Sequence, residues 1–215
     1  MDLSNFKGVI FDLDGTLIES NGVWAQIDID FLGKRGFAVP SDYGKVVSAM
    51  DFASAAVYTK QRFGLSESTE EIAAEWRDMA IQHYTYDIKE VAGAPQFVRS
   101  LKEKGVKLAL ATASSRELYE PVLKRHGIFD CFDFFATTDQ VKRGKGFPDI
   151  YLFAAEKIGV RPQECVVLED IIEAIRAAKS GGFTVGARRH EHYKNDHGEM
   201  EQTADFCFCD YIELM

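Results

Sequence analysis

Val9-Ile10-Phe11-Asp12-Leu13-Asp14-Gly15-Thr16-Leu17 stands near the start of this 215-residue chain, and the rest of the sequence is organised around it. A short apolar run closed by polar residues and a glycine reads as a buried strand that delivers Asp12 at its carboxyl end. Asp14 follows two positions later. Gly15 and Thr16 signal that the chain is already turning, so both carboxylates can converge beyond the sheet edge. Converging carboxylates repel unless positive charge lies between them, and a hard divalent cation with oxygen ligands is one way to supply it. From these residues alone, a polar turn after a core strand is an equal reading.

Downstream the pattern has two regimes. Residues 19–89 hold no convincing strand and several helical stretches. Val23, Ile27 and Phe31 recur at helical spacing, Phe52, Ala56 and Phe63 form another set, and Ser68-Thr69-Glu70-Glu71 has the form of a capping box. Trp24 and Trp76 are expected in the core of that segment. From Ala92 onward strands alternate with helices. Val106–Ala111, Phe132–Ala136, Cys165–Leu168, Phe183–Gly186 and a short Phe206–Phe208 read as strands. Between them lie helices at Pro95–Lys104, at Pro121–His126 with the proline in its first turn, at Pro148–Ile158 and at Ile171–Ser180. The expected architecture is α/β: a Rossmann-like parallel sheet over 1–18 and 90–215 with helices on both faces, and an inserted all-helical cap over 19–89.

In such sheets ligands bind outside the carboxyl ends of the strands. Three of the apolar runs stop there at oxygen-bearing residues: Asp12, Thr112 and the pair Glu169-Asp170. Lys145, in the glycine-flanked loop Arg143-Gly144-Lys145-Gly146, can bring a positive charge to the same edge.

Composition narrows the partners. A formal net charge of -9 disfavours nucleic acid and anionic membranes, since a negative field repels polyanions. The cysteines, Cys131, Cys165, Cys207 and Cys209, lack metal-ligand spacing and read as reduced thiols of a cytoplasmic protein. His190, His192 and His197 fall in a charged, aperiodic stretch expected to be a solvated surface.

The ordered set Asp12-x-Asp14-x-Thr16, Thr112, Lys145 and Glu169-Asp170 resembles the four motifs of the haloacid dehalogenase superfamily. The insertion resembles the helical cap of its beta-phosphoglucomutase-like phosphatases. The resemblance implies Asp12 as nucleophile and Asp14 as general acid and base. It implies phosphate binding by Thr112, Ala113 and Lys145, with Thr16 and Glu169 in support. Mg2+ would be held by Asp12, Asp170 and the main-chain carbonyl of Asp14, and the cap would close over the site. The implied substrate is a small phosphate ester, and a monomer is expected. Two departures stand out: Gly146 follows Lys145 where relatives commonly have proline, and Ile171 and Ala174 stand where they usually show serine and glycine.

Hydrolysis through an aspartyl phosphate is the leading expectation; a sugar-phosphate mutase and a weakened ligand-sensing member are the alternatives. The mutases grip a second phosphate largely through an arginine in a glycine-containing cap loop. The corresponding stretch here, Asp42–Asp51, has none; Lys45 offers charge without a bidentate grip, and Arg62 could reach the site from another helix.

Overall fold

A computed structural model describes residues 2–47, 50 and 52–215, with Lys45 by its backbone alone. Ser48, Ala49, Asp51 and the Lys45 side chain, part of the stretch just weighed for a mutase, lie outside the described residues. The chain divides into two compact units, one of Met1–Ser20 with Ile88–Met215 and one of Asn21–Asp87.

The larger unit is built on a parallel sheet of six strands. These are β1 (Gly8–Phe11), β2 (Lys107–Thr112), β3 (Phe134–Thr137), β4 (Cys165–Glu169), β5 (Thr184–Arg188) and β6 (Phe206–Phe208). Their order is β3-β2-β1-β4-β5-β6, which puts β1 in the middle, between β2 and β4, where the direction of winding reverses. That is the switch point at which a crevice opens beyond the strand ends. Register is tight on both sides: Phe11 lies opposite Leu110 on one neighbour and Leu168 on the other. The Asp12 N–H donates to the Leu168 carbonyl at 3.0 Å, so the ladder runs one residue past β1 and fixes the position of Asp12.

Successive strand residues point to opposite faces, and both faces are covered. Ile10, Ala109 and Val167 pack with Ile150, Ala154 and Ile175 from the helices α7 (Asp149–Lys157) and α8 (Ile172–Ser180). On the other face Phe11 meets the rings of Phe97, Phe132 and Tyr211. Gly186 in β5 has no space for a side chain, because a Cβ there would lie 2.7 Å from Leu168 Cδ2.

Chain order from the start is completed by α1 (Val23–Gly33), α2 (Tyr43–Val47), α3 (Phe52–Phe63) and α4 (Thr69–Tyr86) in the smaller unit. After these come α5 (Ala94–Glu103), α6 (Arg116–Arg125) and α9 (His197–Thr203) in the larger. In α4 the capping box is complete: Glu71 N–H donates to Ser68 Oγ, and Glu71 Oε2 accepts from Ser68 N–H. Within that unit Arg62 is committed to Asp42, its two terminal nitrogens donating at 2.9 and 2.8 Å to the two carboxylate oxygens.

Three expectations are corrected. α6 does not begin at Pro121; it starts at Arg116 after the N-cap Ser115, with the proline inside. The carbonyl that loses its partner is that of Glu117, an exposed residue, where water can replace the missing N–H. Trp24 is not core, being 45% exposed, whereas Trp76 is buried against Phe31 and Phe52. β5 extends two residues beyond Gly186, which carries Arg188 into the interior.

The insertion leaves and rejoins the core at one place. Glu19 N–H donates to the Lys89 carbonyl and Val91 N–H to the Leu17 carbonyl, both at 2.9 Å. All four cysteines are free thiols. Among the described residues no helix is long and apolar enough to cross a membrane.

Candidate active site

β1 leads into Asp12, the residue after its end, buried at 4% exposure. Three residues later the turn is made by Gly15 with φ of 77°, a conformation that favours glycine. The Leu13 carbonyl then accepts from Leu17 N–H at 2.9 Å, curling the chain so that Asp12 and Asp14 both stay at the sheet edge.

Lys145 reaches this edge from the loop before α7. Its ammonium pairs with Asp12 Oδ1 and Glu169 Oε1. Gly146 does not leave that loop slack. Arg143 is stitched to Asp149 by Nε at 2.9 Å, and Phe147 N–H closes onto the Gly144 carbonyl at 3.0 Å. Burial alone would pull the lysine pKa down, but the Asp12 and Glu169 carboxylates outweigh it and hold the ammonium well above its ordinary value.

Glu169 is fully engaged. Its Oε1 also accepts from the Tyr151 hydroxyl at 2.8 Å, and its Oε2 from Asp170 N–H at 3.0 Å and Ile171 N–H at 3.4 Å. Asp14 is held differently, by two hydroxyls: Ser20 Oγ donates to its Oδ1 and Ser114 Oγ to its Oδ2, each at 2.7 Å. Thr112 closes β2, and its Oγ1 accepts from Ser114 N–H at 2.9 Å, which turns the backbone at Ala113 and Ser114 at the end of the strand. Thr16, buried, approaches Asp170 Oδ1 at 3.5 Å.

One oxygen from each of Asp12, Glu169 and Asp170, all buried, lies within 4.8 Å of the other two. Among the described residues, one ammonium, that of Lys145, stands against these three carboxylates. Burial, then the surrounding carboxylates, pushes Asp12 and Asp170 well above the usual range, against the pull of Lys145. A site with this surplus of buried oxygen donors and negative charge fits a hard divalent cation such as Mg2+. Asp12 and Asp170 could hold it, since Glu169 is already engaged by Lys145, Tyr151 and two amides.

Two residues at the site were not anticipated. Arg188, 5% exposed, donates to the Gly15 carbonyl at 2.6 Å and the Cys209 carbonyl at 3.0 Å, and pairs with Glu19 at 2.5 Å. It ties the turn after Asp14 to the far side of the sheet. His190 is not on a solvated surface: its side chain is 10% exposed, with Nε2 2.9 Å from Asp170 Oδ2. Burial and the Arg188 charge push its pKa below the ordinary value, which favours the neutral ring at pH 7. Both follow from the rule that singled out Asp12, Thr112 and Glu169, since both lie at the carboxyl end of a core strand. Of the three histidines only His192 is exposed.

The model for haloacid dehalogenase-like hydrolases matches residues 6–182. Hexitol phosphatase A of Escherichia coli (strain K12) is 31% identical over 183 residues, covering 83% of this chain and 81% of that protein. A bifunctional riboflavin kinase/FMN phosphatase of Arabidopsis thaliana is 33% identical over 178 residues, 82% of this chain; the chain spans about half of that relative, 47%. Among solved structures, a haloacid dehalogenase family hydrolase from Deinococcus radiodurans R1 with bound phosphate and sodium superimposes with a TM-score of 0.74 at 25% identity, covering 98% of this chain and 94% of that one. With the four motif positions gathered at one sheet edge and the family match running through most of its length, the chain belongs to the haloacid dehalogenase-like hydrolases.

Proposed function

We propose that this protein is a Mg2+-dependent phosphatase that hydrolyses a small organic phosphate monoester through an aspartyl phosphate on Asp12. The observation that carries this reading is the convergence at one sheet edge of Asp12, buried and paired with the Lys145 ammonium, and Asp14, whose two oxygens accept from Ser20 and Ser114. A carboxylate that attacks phosphorus needs a cation beside it to approach an anion, and a second carboxyl within reach can carry the leaving group's proton.

In the first step an Asp12 oxygen attacks phosphorus, the ester P–O bond breaks, and Asp14 gives its proton to the departing oxygen. In the second, Asp14 takes a proton from the water that attacks phosphorus, the bond to Asp12 breaks, and inorganic phosphate leaves. Lys145 offsets repulsion between the two anions in both steps, while the Thr112 hydroxyl and the Ala113 amide orient the phosphoryl oxygens. Mg2+ held by Asp12, Asp170 and the Asp14 carbonyl would add positive charge against the transferring group. Glu169 and Tyr151 keep Lys145 in place.

Relatives named as phosphatases, hexitol phosphatase A among them, support hydrolysis and direct the first assays to sugar and polyol phosphates. The engagement of Arg62 by Asp42 favours the phosphatase over the mutase. The test is phosphate release from a panel of metabolite phosphates with Mg2+, with chelator, and with Asp12→Asn, following glucose 6-phosphate from beta-glucose 1-phosphate in parallel. Mg2+-dependent release lost in Asp12→Asn is expected. Rapid isomerisation with little phosphate release would replace hydrolysis by mutase chemistry.

A further inference from the structure

β5 ends at Arg188, and His190 lies just beyond, at the same edge as Asp12 and Asp170. The Asp170 carboxylate has two side-chain neighbours of unequal strength. Thr16 Oγ1 stands 3.5 Å from Oδ1, at the limit of a hydrogen bond, while His190 Nε2 is 2.9 Å from Oδ2. Ile171, the next residue, brings no donor; its hydrocarbon side chain is 37% exposed. The orientation of Asp170 therefore depends chiefly on the imidazole.

The imidazole is itself held. The His190 carbonyl accepts from His197 Nε2 at 3.0 Å and from Tyr193 N–H at 3.2 Å. The Tyr193 ring meets the imidazole edge-on with centroids 5.1 Å apart. Arg189 N–H donates to the Phe208 carbonyl at 2.8 Å, so β6 anchors the stretch from behind. A carboxylate that serves a cation can only accept, so in the cation-bound state Nε2 carries the hydrogen between His190 and Asp170.

We infer that His190 is a positioning residue for the divalent-cation site: it holds Asp170 by Oδ2 and leaves Oδ1 turned to the cation. The inference rests on the reading of Asp12 and Asp170 as cation ligands. Partners that orient a ligating side chain, when removed, typically cost about 10–100-fold in metal affinity.

The test is a Mn2+ titration followed by electron paramagnetic resonance, with Mg2+ measured by competition, on wild type, Asp170→Asn, and His190→Ala, →Asn and →Gln. Thermal unfolding in chelator checks each fold. His190→Ala is expected to weaken both cations by a similar factor, about 10-fold or more. His190→Asn, whose amide stops near the position of Nδ1, should behave like the alanine while filling the loop better. The longer His190→Gln restores a donor near Nε2 and should recover most of the affinity. In an Asp170→Asn background, His190→Ala should add less than about twofold, since both changes act through one contact.

Unchanged affinity in both His190→Ala and His190→Asn, with Asp170→Asn weakened, would overturn the positioning role alone. Equal binding by wild type and Asp170→Asn would remove the cation site and this inference with it. A loss for Mn2+ far exceeding that for Mg2+ would make His190 a ligand rather than a positioning residue.

Discussion

Ser114 reaches Asp14 from the end of β2, its hydroxyl donating to Oδ2 at 2.7 Å although the two residues are far apart in sequence. Ser20 takes the other oxygen. Hydroxyl donors at both oxygens fix the direction of the carboxyl. Ser114→Ala should therefore lower kcat on an alkyl phosphate by about tenfold, because small misplacements of an acid are costly, with KM little changed. Steady-state kinetics on a polyol phosphate decides it; a change in KM alone would place Ser114 in binding.

Asp14→Ala should slow alkyl phosphates by about 10²–10⁴-fold, the range for a lost general acid. A phenolic leaving group departs without a proton, so an aryl phosphate should lose much less in the step that forms the phosphoenzyme. Pre-steady-state bursts on the two substrate types check this, and equal losses would refute the acid role.

Asp12→Asn keeps the shape and removes the nucleophile. Turnover should fall by more than about a thousandfold with an unchanged circular dichroism spectrum. Retained activity would move the attacking group elsewhere.

Arg188→Met should destabilise the protein by about 2–4 kcal/mol, since it strands the Gly15 and Cys209 carbonyls and leaves Glu19 without its partner. Glu19 is 44% exposed, which keeps the figure below that of a fully buried pair. Urea unfolding measures it.

Asp28 in α1 is half-buried, and burial raises its pKa from 3.8 to about 6. A carboxyl whose folded pKa lies above its unfolded one costs stability above the folded value, and that cost disappears below the unfolded one. Asp28→Asn should stabilise by on the order of 1 kcal/mol at pH 7.5, discounted for partial exposure. The gain should fade as pH falls from 6 toward 4. Urea midpoints at pH 7.5 and 4.5 provide the comparison.

Much of this was legible before any coordinates. The strands announced themselves because a buried parallel strand needs a continuous apolar run, and Asp12, Thr112 and Glu169 were found because each such run stops at a polar residue. The start of α6 was hidden because Pro121 suggests a first turn, while a hydrated Glu117 carbonyl permits it deeper in the helix. Arg188 and His190 were missed for a different reason. Their local sequence is charged and looks solvated, and what draws them inward is Gly15, Glu19 and Asp170, far away in the chain. Long-range partners of this kind leave no periodic trace.

The backbone bridge at the root of the insertion, where Glu19 meets Lys89 and Val91 meets Leu17, bears on how the protein could be rebuilt. To the core, everything from Asn21 to Asp87 is a loop whose two ends the core itself already fastens together. The entropic cost of closing such a loop grows only logarithmically with its length, about 0.6 kcal/mol for each doubling. A shorter or longer segment grafted between Ser20 and Ile88 would thus perturb the sheet's stability only slightly, so the core can be fitted with a different insertion.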